Sequence, residues 1–508
     1  MSRTPFLDTG EENAYNNTQR QKVYCKEHAM NVRLMGNTLG YVLWVEALFM
    51  LIPVAAALVA GEDCLPFVYA ILLCLAVGTA LCLVKVEEKQ MQRRDGYLTV
   101  ALGWVILSVF GAFPYLFSGV IPRFSSAIFE TVSGLTTTGA TIIEEIEGLP
   151  KSVLLWRSET QWMGGMGVLV LFLALMPKLS GGAVYLMRAE SPGPIKSKLV
   201  PKLGETAKIL YAIYVGLTAA EMLALRIAGM PWYHAINHAF TTIATGGFST
   251  LNTSIAAVDN QAIVWIIIIF TFLAGVNFAL LFAALRGKWK EVWRSEELRV
   301  YFAIVVGATL LICLDLYFQN GNSFGQSITD AAFQVTTIIT TTGYATRDFA
   351  LWPTFSRCVL VVLMYVGGSA GSTAGGMKVS RLLLLTKSLH REVKRIIHPN
   401  HVSVIKMDGK AVDEQAVASA QAFQVAYLLV MITGALIVSW DNLGFTESIV
   451  ASLTCISNVG PGLGLLGPME NFAILSGMSK LALSIVMLMG RLELMPLLAL
   501  FSYRTWKE

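Results

Sequence analysis

The sequence predicts an all-α integral membrane protein: two N-terminal helices, then four pseudo-repeats of helix, pore helix with filter loop, and helix around a central ion pore. Three observations predict it. Of 508 residues, 55% are hydrophobic and only 14% charged, against about 25% charged in soluble domains. Apolar stretches long enough to cross a bilayer as helices recur from Leu39 to Phe501. Between them a Thr- and Gly-rich motif returns four times at a spacing of roughly one hundred residues.

The first 37 residues form a polar tail of mixed charge without an apolar signal core or cleavage site, so the first span itself directs insertion. Two accessory helices, about 38–60 and 65–83, occupy 38–85. Repeat 1 covers 96–178 with helices at 97–118 and 152–176. Repeat 2 covers 204–286 with helices at 206–228 and 261–285. Repeat 3 covers 296–388 with helices at 298–317 and 354–386, and a linker, 389–415, follows it. Repeat 4 covers 416–505 with helices at 416–439 and 472–502.

Basic residues gather in the tail (Arg20, Lys22, Lys26, Arg33) and in segments 84–96, 192–208, 286–299 and 387–401, which the positive-inside rule places in the cytoplasm, with the linker and the N-terminus. The other connections hold acids: Glu62, Asp63, Glu144, Glu145, Glu147, Asp259, Asp441 and Glu470. Such an outer face raises the local concentration of cations; acids tolerated in exported loops give the same pattern. The seven cysteines, Cys25, Cys64, Cys74, Cys82, Cys313, Cys358 and Cys455, form no CxxC pair and read as small hydrophobes.

The four central segments are FETVSGLTTTGAT (129–141), INHAFTTIATGGFST (236–250), FQVTTIITTTGYAT (333–346) and VASLTCISNVGPGLG (450–464). Aligned on their leading apolar residue, they place Gly139, Gly246, Gly343 and Gly460 in one column. The piece before each glycine is too short to span, so each segment must dip in and return. Irregular backbone survives at that depth only where protein surrounds it or it lines water. Extended Thr/Gly backbone offers a row of carbonyl oxygens, the substitute a desolvated cation needs for its hydration shell. Glycine permits the dihedrals that turn successive carbonyls the same way, and the negative end of each short helix adds attraction. The expected filter is Thr137, Thr138, Gly139 and Ala140; Ala244, Thr245, Gly246 and Gly247; Thr341, Thr342, Gly343 and Tyr344; and Asn458, Val459, Gly460 and Pro461. Asn458–Gly462, NVGPG, lies closest to the TVGYG of K⁺ channels, Thr341–Tyr344 keeps T-x-G-Y, and the first two segments depart most.

With these motifs, the chain resembles the Trk/Ktr/HKT superfamily of potassium transporters, and within it the Trk-type membrane subunit. RDGYLTVALGWVILSVFGAFPYLFSG (94–119), QWMGGMG (161–167), TTIATGGFST, GGSAGSTAGGMKVSR (367–381) and MGRLELMPLL (489–498) carry the resemblance over nearly the whole chain. It implies K⁺ uptake across the bacterial inner membrane by a homodimer in which each protomer has its own pore. It also implies a cytosolic nucleotide-binding regulatory subunit of the TrkA type. Serine in the first filter goes with Na⁺ permeation in that family, so Gly139 favours K⁺.

Two features lie beyond the filter. GGSAGSTAGGMK (367–378) interrupts the second helix of repeat 3 with residues that weaken helices by about 1 kcal/mol per glycine. Tight helix packing through small residues is one reading. The one we prefer is an unwound intramembrane gate, as the resemblance also implies, formed by Gly367, Gly368, Gly371, Ser372, Thr373, Gly375, Gly376 and Lys378. Arg491 in the last helix costs about 2.5–3.5 kcal/mol at a membrane centre, so it is expected to face the bundle or the water path; snorkelling to the surface is the alternative. There its charge opposes K⁺ while its donors hold gate carbonyls. Glu493, on another helix face, is not expected to pair with it.

Other candidates carry less. His234 and His238 have metal-ligand spacing but no third ligand nearby, so K⁺ at the filter is the only metal expected. Glu159, Glu221 and Asp315 are expected to meet interfacial water or neighbouring helices, with proton relays left open. No phosphate loop precedes a βαβ pattern, so no cofactor is expected in this chain, nucleotide belongs to the partner, and nothing points to nucleic acid. An intramembrane lipid enzyme would need clustered His, Asp or Glu, and a carrier would have broken helices in opposed orientation; neither fits four like segments entering from one side. A Na⁺- or H⁺-coupled K⁺ symporter of the same fold remains open.

Overall fold

The computed structural model describes residues 30–86, 91–167, 203–321, 323–399 and 403–501. Most of the tail, segment 168–202 and positions 502–508, including parts of the expected 152–176 and 472–502 helices, lie outside the described residues. Six described spans are long and apolar enough to cross a membrane, or seven if one sharply bent pair counts as a span.

The chain opens with α1 (Val32–Phe49) and α2 (Leu51–Ala60), then α3 (Leu65–Cys82). Helix α1 begins before the expected position 38 because the Asn31 side chain accepts from Leu34 N–H at 3.0 Å, capping an otherwise free amide. It hitches at Met50, where Pro53 cannot donate to the preceding turn. Helices α1 and α3 meet at Gly40 and Gly78, where a methyl on Gly40 would lie 2.6 Å from the Gly78 carbonyl oxygen. Small residues give membrane helices this close approach without a hydrophobic driving force.

Each repeat then supplies an outer helix, a short pore helix and an inner helix. The outer helices are α4 (Arg93–Phe110), continued by α5 (Phe113–Phe117), and α8 (Leu203–Ile227), α13 (Glu296–Asn320) and α17 (Glu414–Val438). Ser295 and Asp413 cap the last two with side-chain oxygens, and Glu296, Glu297 and Glu414 occupy their first turns, where the helix dipole favours carboxylates. The pore helices are α6 (Phe124–Leu135), α9 (Trp232–Ile243), α14 (Phe324–Ile339) and α18 (Phe445–Ser457). At 12, 12, 16 and 13 residues they rise ~18–24 Å, short of the ~30 Å hydrocarbon core.

The inner helices depart from expectation. An interruption was expected only in repeat 3, yet α7 (Lys151–Gly165), α10 (Gln261–Ala274), α15 (Thr354–Val366) and α19 (Gly477–Arg491) all end after 13–15 residues. The chain resumes as α11 (Phe278–Leu285) at 103° to α10, as α16 (Val379–Ile397) beyond the Gly-rich loop, and as α20 (Met495–Phe501). Close packing explains the breaks. A methyl on Gly164 would lie 1.7 Å from the Leu135 carbonyl oxygen, one on Gly375 2.2 Å from that of Ser457, and one on Gly490 2.0 Å from that of Ile456. One on Gly275 would lie 2.6 Å from the Thr340 side chain. In repeats 1, 2 and 4 the inner helix therefore stops where it presses on the end of a pore helix, whereas in repeat 3 the contact is made by Gly375 of the loop that follows α15.

Beyond the breaks lie α12 (Trp289–Arg294) and a small hairpin, β1 (Lys406–Met407) paired antiparallel with β2 (Lys410–Ala411). Asp408 and Gly409 turn it with positive φ at both positions, the combination that suits a tight hairpin. The Asp408 carboxylate accepts from Glu296 N–H at 2.7 Å, fastening the hairpin to the start of α13.

Candidate ion pathway

Each pore helix ends in the same backbone figure. Four non-glycine residues take positive φ, Thr137, Thr245, Thr341 and Asn458, and two positions later so do Gly139, Gly247, Gly343 and Gly460. The intervening Thr138, Gly246, Thr342 and Val459 do not, and their N–H groups each reach back five residues, to the carbonyls of Ser133, Thr241, Thr337 and Thr454. The register of repeat 2 is thereby corrected: Gly247, not Gly246, stands in the glycine column. The alignment went astray because Gly246–Gly247 offers two glycines and the leading apolar residue cannot choose between them; backbone conformation can.

The four glycines close a ring. A methyl on Gly139 would lie 2.1 Å from Gly246 O, on Gly247 1.8 Å from Thr342 O, on Gly343 2.0 Å from Val459 O, and on Gly460 2.5 Å from Thr138 O. Each loop thus abuts the next in chain order, and the fourth returns to the first. All four glycines, with Ala140 and Pro461, line one cavity of about 70 Å³ that also meets Arg157 and Glu470.

Two tiers of carbonyls stand beside this ring, those of Thr137, Thr245, Thr341 and Asn458 and those of Thr138, Gly246, Thr342 and Val459. Apart from Gly246, whose oxygen takes the Gln161 side-chain N–H at 2.7 Å, none of these carbonyls accepts a hydrogen bond among the described residues. The side chains of the first tier are fully buried. Buried carbonyls are ordinarily paired, so an unpaired array at the centre of four loops has the chemistry to take a cationic ligand. Tyr344 differs from expectation. Its carbonyl accepts from Thr337 Oγ1 at 3.0 Å and Gln334 Nε2 at 3.2 Å, which occupies both lone pairs and leaves none for an ion. Its ring is instead a brace: the hydroxyl meets Thr241 and His238 of repeat 2. Ala244 also lies outside the two tiers, its carbonyl taken by the Thr245 hydroxyl at 2.6 Å.

Several supporting residues escaped the sequence reading. Arg157 is buried with Nε 2.9 Å from Glu130 Oε1, donates to Ser249 O and Thr141 Oγ1, and stacks over Phe248. Glu130 in turn takes the Thr141 hydroxyl and Ile142 N–H, so one ion pair fixes the descending arms of loops 1 and 2. Asn458 Nδ2 donates to Thr138 Oγ1 and to Met487 O, both at 3.0 Å. A signal for the inner-helix glycines existed: QWMGGMG, LAGVN, VGGSA and MGRLE all carry glycine where the inner helix ends.

The Gly-rich segment is an unwound loop between α15 and α16, with positive φ at Gly367, Gly371, Gly376 and Lys378. It folds back on itself: a methyl on Gly367 would lie 2.5 Å from Gly375 O. Gly375 N–H donates to Thr341 Oγ1 at 2.6 Å and Gly376 N–H to Ser457 O at 2.9 Å, which seats the loop against filters 3 and 4. Ser369 N–H donates to Gly275 O, Thr373 Oγ1 to Ala274 O and Phe278 N–H to Gly371 O, tying it to the bend of repeat 2. Gly368 O accepts from Val379 N–H, the Ser372 hydroxyl donates to Ser369 O, and Lys378 Nζ donates to Ala374 O. Arg491 donates to Thr373 O at 2.8 Å and to the carbonyls of Gly164 and Gly165. It therefore faces the bundle and links the loop to repeat 1. Glu493 pairs with Arg381.

The remaining candidates are placed as follows. Glu159 and Glu221 are fully buried with no hydrogen-bond partner for their carboxylates among the described residues, so of the two expected surroundings they have the neighbouring helices and not interfacial water. Asp315 accepts from Ser356 N–H and Oγ on α15. His234 and His238 bond Thr250 and Tyr344, and no group of three or more metal-ligating side chains occurs among the described residues. Cys74, Cys313 and Cys455 are buried, but Cys358 is exposed.

Comparison with known proteins places this architecture. The sequence profile described as TrkH, cation transport protein, matches residues 66–507. The Trk system potassium uptake protein TrkH of Escherichia coli (strain K12) is 40% identical over 488 residues, covering 94% of this chain and 100% of that protein. TrkG of the same organism is 33% identical over 485 residues, covering 94% and 99%. The crystal structure of the potassium transporter TrkH from Vibrio parahaemolyticus superimposes with a TM-score of 0.84 at 35% identity, covering 94% of this chain and 100% of that one.

Proposed function

The chain belongs to the TrkH family of cation transport proteins, transporters and not enzymes, and from that premise we propose that it is a K⁺ uptake pore gated from within. The observation that carries the reading is the double tier of buried carbonyls, all but that of Gly246 unpaired among the described residues, closed by a ring of glycines. Carbonyl oxygen replaces the hydration shell of an alkali cation, and the alternation of positive φ along each loop supports a common direction for successive oxygens. Four pseudo-repeats around one axis, preceded by the two accessory helices α1–α2 and α3, form the pore. The acid-bearing connections feed it from outside, and Glu470 already borders the outer cavity.

The loop 367–378 is the gate. It lies against filters 3 and 4 and is pinned by Arg491, whose positive charge beside the path repels a cation. A pore opens when that pin lets go and the loop withdraws. The relatives' names as components of a Trk system support a cytosolic nucleotide-binding subunit of the TrkA type as the trigger. The homodimer, the bacterial inner membrane and the cytoplasmic N-terminus belong to the same proposal. Coupling to H⁺ or Na⁺ is a second reading, favoured by the unpartnered carboxyls of Glu159 and Glu221.

Growth of a K⁺-uptake-deficient strain in low-K⁺ medium tests the proposal. Rescue by this chain, lost on Gly343→Ala, is the expected result; rescue that survives Gly343→Ala overturns the filter. Uptake into vesicles with and without a pH or Na⁺ gradient separates passive from coupled transport, since only coupling requires Glu159→Gln or Glu221→Gln to abolish the gradient's effect.

A further inference from the structure

A second cavity, of about 620 Å³, borders the loop 367–378 at Ala370, and no filter residue lines it. Its cationic rim consists of Arg286, Lys288, Arg294 and Lys410. Its three acids are already engaged: Glu291 with Lys288, Glu297 with the N–H groups of Ala370 and Ser380, and Asp408 with Glu296 N–H. The side chains of Arg294 and Lys410 have no hydrogen bond or carboxylate partner among the described residues, and that of Arg286 has only the face of Phe282. The lining thus carries four cationic heads against three carboxylates, an excess of one positive charge, and three of the cationic heads sit in no ion pair among the described residues.

The opposite wall is apolar, formed by Leu280, Phe282 and Ala283 of α11. Beside it α12 exposes Trp289 and Trp293, 60% and 67% accessible, and tryptophans so placed mark the membrane–water boundary. A cavity with one greasy wall, one basic rim and a mouth at that boundary fits a phosphate head that carries an apolar tail. Its floor includes Ala370 and Ser380, the two residues whose amides Glu297 holds. Whatever fills the cavity therefore touches the gate loop.

We propose that this cavity binds a phosphate-bearing anion, supplied by the headgroup of an anionic phospholipid in the cytoplasmic leaflet, and that its occupancy sets how readily the loop 367–378 moves. The binding part stands on the cavity alone; the effect on flux rests on the K⁺-uptake reading. Each cationic side chain near an anionic membrane adds roughly fivefold to lipid affinity. Removing three should weaken retention by on the order of a hundredfold.

The test uses the full chain, purified and reconstituted. Native mass spectrometry reads retained phosphatidylglycerol, and rubidium uptake is measured in vesicles of phosphatidylcholine with and without phosphatidylglycerol. The wild type should retain the lipid and change its uptake severalfold when phosphatidylglycerol is present. The triple variant Arg286→Gln/Arg294→Gln/Lys410→Gln should lose both responses while matching wild-type uptake in phosphatidylcholine alone. Ala283→Trp, which fills the cavity without altering charge, should do the same. Inorganic phosphate that reproduces the effect in phosphatidylcholine vesicles supports the site with a soluble source. Equal lipid retention by wild type and both variants overturns the proposal. So does a variant that loses only the regulatory subunit's effect, which would assign the rim to a protein partner. Absence of uptake in every lipid, with retention intact, would instead strike the K⁺ reading and leave the site standing.

Discussion

The filter ring and the loop beneath it are both rich in glycine and buried in the same bundle, yet they are held in different ways. In the ring, glycine is required because a neighbouring backbone fills the space where a side chain would stand, four times over. Contacts of that kind have no rotamer to relax and leave the ring one arrangement. The loop also uses glycine, at Gly367, Gly371 and Gly376, for left-handed backbone, but side chains do much of the holding. Arg491 donates to Thr373 O, Glu297 accepts from Ala370 N–H, and Thr341 Oγ1 accepts from Gly375 N–H. Such ties can be exchanged for others at a cost of a few kcal/mol. Glycine pressed on backbone occurs in both, at Gly367 and Gly375 of the loop as well as in the ring; the exchangeable side-chain ties added to it are what make the loop a latch.

The sharpest way to break this contrast is to attack the ring's own support. Arg157→Ala strands the Glu130 carboxylate in the interior, and the loss of one partner of a buried pair costs about 3–5 kcal/mol. Thermal unfolding in detergent should drop accordingly; an unchanged melting temperature would mean the ring does not lean on this pair. The next largest effect separates two adjacent glycines. Gly247→Ala forces a side chain into positive φ and against Thr342 O at 1.8 Å, so uptake should fall on the order of a hundredfold. Gly246→Ala meets only the Gln161 side chain and should lose about tenfold or less. The reverse order would return Gly246 to the glycine column.

On the latch side the sign changes. Arg491→Ala removes charged hydrogen bonds worth about 1.5–3 kcal/mol each, so rubidium uptake should rise about tenfold or more and respond less to the regulatory subunit. Slower uptake would contradict the pin. Deleting 371–376 should act in the same direction. Tyr344→Phe sharpens the comparison from the ring side, because it removes only the hydroxyl brace to Thr241 and His238. A loss of about 0.5–1.5 kcal/mol, read as a modest fall in K⁺ over Na⁺ preference, is expected.

The smallest effect concerns pH at the outer end of α7. Burial alone would raise the Glu62 carboxyl, but Ser152 N–H and hydroxyl, Lys151 N–H and the Lys151 charge outweigh it and hold the group below the usual carboxylate range. A carboxyl lowered in the folded state contributes stability above its ordinary pKa and loses it as pH falls through the lowered value. Melting temperature should therefore decline on acidification below about pH 4, and Glu62→Gln should flatten that part of the curve.

Much of this molecule was legible in its sequence for a physical reason: a bilayer tolerates few solutions. Apolar length located the spans, charge bias suggested their orientation, and short Thr/Gly segments between spans implied protected, ion-facing backbone. The run 367–378 read correctly as unwound because so many glycines cannot sustain a helix. The reading failed where the evidence lay in contact and not in composition. Segments 261–285 and 472–502 are largely apolar and looked continuous; they break where Gly275 and Gly490 press on pore helices, and a single glycine marks each place without revealing the contact that makes it a break. Arg157 and Glu130 are 27 residues apart, and nothing in either neighbourhood reveals the other.

By itself, then, the sequence determined the membrane class, the fourfold recurrence and the identity of the residues at each pore-helix end, because hydropathy, propensity and glycine's freedom are properties of the chain. Only the tertiary structure decided which glycine of repeat 2 joins the ring, that Tyr344 braces instead of coordinating, and which carbonyls stay unpaired. Those depend on where a neighbouring loop's backbone falls to within an ångström, a distance that residues in different repeats set jointly and that neither encodes alone.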